Sequence, residues 1–151
     1  AQGLSPFSPQ LAAMKAGRLV LEQIGDFTDR NVDFAFETTL AGKSYISLLK
    51  ELKKKDYRIH LFFLWIPNTE LALARIKERV AEGGHDVPAI DVRRRFHRGI
   101  YNFFKIYSPL SDMWMLFNNS GAKPCLIAEK KEDKISIIDK DIFDKIAKIE
   151  E

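Results

Sequence analysis

Residues 58–66 read Arg-Ile-His-Leu-Phe-Phe-Leu-Trp-Ile, a nearly unbroken apolar run closed by Pro67 and Asn68. A membrane span needs about 18 or more apolar residues in a row, and no stretch of the chain approaches that length. A short run without a polar face is the mark of a strand buried on both sides of a sheet. Sheets covered on both sides are typically the parallel sheets of α/β proteins. The flanking segments agree. Leu11, Met14, Leu19, Leu21 and Ile24 share a broad apolar face of a helix that starts at Ser8-Pro9 and runs to about Asp29. A second helix is expected over residues 44–55. A third, over 69–82, is capped by Asn68, buries Leu73, Ile76 and Val80, and stops at Gly83-Gly84. A fourth, over about 91–106, has Val92, Phe96, Ile100 and Phe103 as its core stripe, and a last helix spans about 141–149.

Strands are expected at residues 32–38 and 113–118, parallel to the 58–66 strand in one sheet. Short strands follow at 123–129 and 135–138. The break at residues 119–123 is too short for a parallel crossover, so the strand after it should be antiparallel. The 151 residues fit a single α/β domain. The one cysteine, Cys125, excludes an internal disulfide and suits a reducing cytoplasm; it is expected to be a small buried apolar residue. No signal-peptide pattern opens the chain, and no Cys/His spacing suggests a metal. A net charge of +3 argues for neither nucleic-acid nor membrane binding.

Glu37-Thr-Thr-Leu-Ala-Gly-Lys-Ser44 lies between an expected strand and a helix and resembles a phosphate loop, but its first position is Glu37 where such loops need glycine. The alternatives are a helix start with Gly-Lys-Ser by chance, or a strand end at which Glu37, Thr38 and Thr39 receive a hydroxylated substrate. Residues 71–105 carry eight basic against four acidic side chains. Arg75 and Arg79 share one helix face, and Arg94 and Arg98 another, with Arg95 at the edge of an apolar stripe. The Gly-Gly-His-Asp-Val-Pro loop between the two helices resembles a hinge. Such a pair can close as a lid over a phosphate chain, or it is a solvated basic face. His97 is expected at the surface, and Phe62, Phe63 and Trp65 in the core.

Five segments in order carry a resemblance: Leu4-Ser-Pro-Phe-Ser-Pro9, Phe34-Ala-Phe-Glu-Thr-Thr39, Arg79-Val-x-x-Gly-Gly-His-x-Val-Pro88, Arg94-Arg-Phe-x-Arg98 with Asn102, and Phe117-Asn-Asn-Ser120. Together they resemble the zeta-toxin-like P-loop kinases, in the branch described as predicted ABC-type ATPases. The resemblance implies a P-loop kinase-like, mostly parallel sheet with flanking helices and an antiparallel strand at its C-terminal side. It also implies an ATP- or GTP-dependent phosphotransferase using Mg²⁺. Zeta toxins phosphorylate the sugar of a UDP-activated amino sugar and have an antitoxin as protein partner. Carried onto this chain, it puts Glu37, Thr38 and Thr39 at the substrate, Arg79 and one or more of Arg94, Arg95 and Arg98 at the transferring phosphate, and His85 and Asn119 near a lid spanning about 83–98. The family's central strand, phosphate loop and catalytic base are expected ahead of residue 1, leaving these 151 residues inactive alone. A gap, or a strand from elsewhere, is then expected between the 58–66 and 113–118 strands; direct pairing would contradict that topology. The alternative is a non-catalytic nucleotide or nucleotide-sugar binding module.

Overall fold

The computed structural model describes residues 9–84 and 86–149, with side chains from residue 15 onward. Residues 4–8 of the first motif, and His85, lie outside them. The chain divides into two compact units, residues 1–37 and 38–151.

In the first unit, α1 (Pro9–Asp29) occupies the expected span. Among its described side chains Ile24 and Thr28 are buried, whereas Leu19 and Leu21, expected on its apolar face, are exposed, and the Thr28 hydroxyl donates to the Ile24 carbonyl at 2.7 Å. The helix closes with Asn31 in the left-handed region at φ 51°, a conformation asparagine tolerates at a helix end. The chain then turns back, so that the Phe27 and Phe34 rings stack with centroids 5.8 Å apart. Residues 32–38 are not a strand. Their β-forming side chains favour an extended chain, but a strand needs a hydrogen-bonded neighbour, and the described sheet does not include them.

The second unit is α/β. It comprises α2 (Tyr45–Lys54), β1 (His60–Trp65), α3 (Thr69–Ala81), α4 (Ala89–Asn102), a π turn (Phe103–Tyr107), α5 (Ser108–Leu110), β2 (Met113–Asn118), β3 (Cys125–Lys131), β4 (Lys134–Ile137) and α6 (Lys140–Ala147). The strands form one mixed sheet in the order β1-β2-β3-β4. As expected, β3 is antiparallel to β2, and β4 is antiparallel to β3.

The expected gap is absent. β1 and β2 pair directly and in parallel along their whole length, from His60 opposite Met113 to Trp65 opposite Asn118. Two parallel apolar strands with nothing between them satisfy their N–H and C=O groups on each other rather than leave them open. The described sheet therefore departs from the topology that the kinase resemblance implied.

β1 is also not buried on both faces. Leu61, Phe63 and Trp65 face inward, whereas Phe62 and Leu64 are 58% and 55% exposed. On the inner face Phe63, Leu116 and Ala128 lie in one register row, and Leu116 and Ala128 are fully buried. Phe103 of the π turn packs on this row, its ring 4.7 Å from Phe63 and 5.6 Å from Trp114. Each aromatic ring so buried contributes about 1.5–3 kcal/mol. Phe104 extends the cluster to Phe143 of α6 at 5.7 Å.

Helix ends follow their chemistry. The Asn68 side chain accepts from the Leu71 amide, and Asp139 accepts from Ile142. Gly83, at φ 90°, ends α3 with two bonds back into the last turn, Gly84 N–H to Arg79 and Gly83 N–H to Val80. Leu73 and Ile76 of α3 are only half-buried and Val80 is exposed, because α3 is the outer layer over α4. Cys125 is exposed, at the first position of β3 where the strand leaves the loop. No described helix is long and apolar enough to cross a membrane.

Candidate functional site

Residues 38–44 form a loop that enters α2, and three of its carbonyl groups are turned toward α4 and the π turn. The Thr39 carbonyl oxygen lies against Gly99; a Cβ there would stand 2.7 Å from it. The Leu40 carbonyl accepts from the buried Asn102 side-chain amide at 2.7 Å. The Gly42 carbonyl accepts from the Tyr107 hydroxyl at 2.6 Å. Within the loop, the Leu40 amide donates to Thr38 Oγ1 at 3.2 Å.

Leu40 is the strained point. Its φ is 53°, in the left-handed region that costs an L-residue roughly 1–2 kcal/mol. The side chain is buried, and the bond from Asn102 holds the peptide in place. Strain of this kind persists where the surroundings over-determine it, and it concentrates at ligand-holding segments.

Asn102 and Tyr107 are five positions apart. On an α-helix that spacing turns two side chains about 140° from each other. The π turn widens the helix at Phe103–Tyr107 and brings both groups to the same loop. Burial pushes the Tyr107 phenol above its ordinary value.

Between loop and helix lies a depression of about 340 Å³, lined by Ala41, Gly42, Lys43, Arg98 and Asn102. Two cations from distant parts of the chain line it, and among the described residues no carboxylate does. Ser44 stands at the N-cap of α2, but its side chain makes no capping bond. Gly-Lys-Ser is therefore not a hydroxyl-capped helix start.

The residues singled out from sequence divide clearly. Arg98 lines the depression, while Thr38 and Thr39 belong to the loop beside it. Glu37 closes the other compact unit. Arg94 is exposed and ion-paired with Asp91 at 2.6 Å. Arg95 is exposed on α4, as is His97, and Arg79 sits in the last turn of α3. None of these lines the depression. Asn119 follows the carboxyl end of β2, its amide donating to the Trp65 carbonyl at 2.7 Å. That end of a parallel pair is where open α/β sheets bind ligands. The indole N–H of Trp65 is buried there without a hydrogen-bond partner. No group of three or more His, Cys, Asp and Glu side chains gathers as metal ligands among the described residues.

Sequence reading missed Tyr107, since a π turn leaves no periodic trace. It also discounted Lys43 together with the imperfect loop that contains it.

No family model matches the chain, and no solved structure matches it. A protein of Haemophilus influenzae, described as uncharacterized, is 34% identical over 96 residues, covering 64% of this chain and 69% of the relative.

Proposed function

The chain belongs to the same family as that Haemophilus influenzae protein, and we propose that it is the acceptor-binding and lid-bearing part of a zeta-toxin-like phosphotransferase. The observation that carries this reading is the bond from Asn102 to the Leu40 carbonyl. It joins Asn102, which accompanies Arg94-Arg-Phe-x-Arg98, to Leu40, the residue that follows Phe34-Ala-Phe-Glu-Thr-Thr39. Lys43 and Arg98, remote in sequence, line one depression beside that bond.

In this reading Glu37, Thr38 and Thr39 hold the hydroxyl of a small acceptor such as a nucleotide sugar. Arg98, with Arg79, Arg94 or Arg95 brought in by closure of the lid at 83–98, neutralises charge on the transferring phosphoryl group. A nucleoside triphosphate with Mg²⁺ supplies that group. Its own phosphate loop belongs to a segment other than the one containing Glu37, whose carboxylate repels a triphosphate. An antitoxin-type protein is the partner this reading implies.

The test needs the full-length gene product and a turnover assay with sugar nucleotides. Glu37→Gln should weaken acceptor binding and leave ATP binding nearly unchanged. Alanine at the phosphate-contacting arginine should lower turnover by roughly 10³–10⁵. Near wild-type turnover in all four variants, at Arg79, Arg94, Arg95 and Arg98, would sink the reading.

One observation favours a second reading, a non-catalytic nucleotide or nucleotide-sugar binding module. The direct β1–β2 ladder leaves no place between these strands for another. Absence of turnover by the full-length product, with nucleotide-sugar binding retained, would select it.

A further inference from the structure

We infer that Gly99 and Asn102 of α4 are positioning residues, which act through Leu40 to aim the Thr38 hydroxyl at a bound acceptor. The inference deepens the phosphotransferase reading and rests on it for the acceptor itself.

The two peptides that flank Leu40 are each held by α4. Gly99 and Asn102 lie three positions apart, on one face of that helix. The Thr39 carbonyl oxygen lies against Gly99, where any Cβ would stand 2.7 Å from it. The Leu40 carbonyl accepts from Asn102 Nδ2 at 2.7 Å, and the Leu40 side chain is itself buried. Three points so placed fix the backbone of one residue, and here they keep its φ at 53°.

The hold reaches past Leu40 to Thr38. A trans peptide points its C=O and the following N–H in opposite directions. With the Thr39 carbonyl against α4, the Leu40 N–H is turned away from the helix, and it donates to Thr38 Oγ1 at 3.2 Å. Relaxation of Leu40 to the ordinary negative φ would swing this peptide by roughly 100° or more and take the N–H off Thr38.

A threonine hydroxyl carries one proton and two acceptor positions. The Leu40 amide occupies one acceptor position, which sets the rotamer and leaves the proton for another group. Thr38 is exposed, and no described residue accepts that proton. Thr39 is exposed as well, but no described group holds its hydroxyl. Of the two threonines, Thr38 is the oriented one. Its proton suits the oxygen of a sugar or other hydroxylated acceptor.

The experiment is a double-mutant cycle on the full-length gene product. Binding of UDP-N-acetylglucosamine is read by calorimetry, and exchange of the Leu40 amide by NMR. Thr38→Val removes the hydroxyl at nearly constant shape and should weaken binding about three- to tenfold, the worth of one hydrogen bond. Asn102→Ala should weaken it by a similar factor and quicken Leu40 exchange. In the Thr38→Val background, Asn102→Ala should add nothing, because its effect passes through that hydroxyl. Factors that multiply in the double variant would mean that Asn102 serves stability alone, and would overturn the inference. Leu40 exchange unaltered by Asn102→Ala would overturn it too. If Asn102→Ala does not fold, Gly99→Ala, which displaces the peptide that bears the Leu40 N–H, takes its place in the cycle with the same readings. Leu40 exchange that responds as stated, in a protein that does not bind the sugar nucleotide, counts against the phosphotransferase reading and leaves the hold on Thr38 standing.

Discussion

Asn102 donates its side-chain amide to the carbonyl of Leu40, a buried residue held at positive φ, across 2.7 Å. The bond fixes the one peptide of the 38–44 loop that would relax most readily if released. Asn102→Ala leaves a buried carbonyl unsatisfied, and the expected loss is about 1–3 kcal/mol by urea denaturation. Amide exchange at residues 41–43 should quicken more than global stability falls. Equal changes at all amides would mean that Asn102 serves the fold as a whole and not this loop.

Gly99→Ala sets two effects against each other. Alanine in a helix interior gains roughly 1 kcal/mol over glycine. Its Cβ, however, would stand 2.7 Å from the Thr39 carbonyl oxygen, and a backbone group cannot swing aside as a side-chain tip can. The clash should win, with a net loss of about 1–3 kcal/mol. A thermal melt at or above the parent midpoint would show that the loop gives way freely.

Tyr107→Phe removes the donor to the Gly42 carbonyl and should cost about 1 kcal/mol near neutral pH. Burial raises the phenol's pKa in the folded chain, so the native state keeps its proton longer than the unfolded one. The Tyr107 contribution is full below the ordinary tyrosine value and is lost as pH rises through the raised one. The stability gap between parent and Tyr107→Phe should therefore close on the alkaline side. A gap constant to high pH would contradict the assignment.

Asp112 behaves in the opposite sense. Burial works to raise its carboxyl, but hydrogen bonds from Lys53 Nζ and the Ile59 amide, with the nearby charges of Lys53 and Arg58, hold it below its ordinary value. Its contribution is full above the unfolded carboxylate value and is lost as pH falls through the lowered one. The ion pair is partly exposed, so Asp112→Asn should cost only about 1 kcal/mol at neutral pH. Denaturation midpoints of parent and variant should converge in acid; a difference that persists there would refute the pairing.

The elements were legible in the sequence where they depend on local chemistry. Asn68 and Gly83 mark the ends of α3 because capping and left-handed termination are decided within a few residues. Partnership was not legible. Residues 32–38 have the side chains of a strand and no ladder, and residues 60–65 have the composition of a doubly covered strand with Phe62 exposed. Neighbours across a sheet are set by the whole chain, which periodicity does not see. The candidate site was half legible: Arg98 and the Thr38-Thr39 pair stood out as residue types. The convergence of Lys43 with Arg98 depends on loop geometry, and the reach of Tyr107 on one widened helical turn.

The π turn also has a consequence for the order of folding. β3 and β4 pair across two intervening residues and can close early. The bonds that fix the loop join residues 62 and 65 positions apart, and they need the widened turn already seated on the sheet. Closing so long a connection is slow, and contacts of that kind form late. The loop that carries Lys43 should therefore be among the last parts of the second unit to order, and among the first to open in native-state fluctuations, with the sheet beneath it still intact.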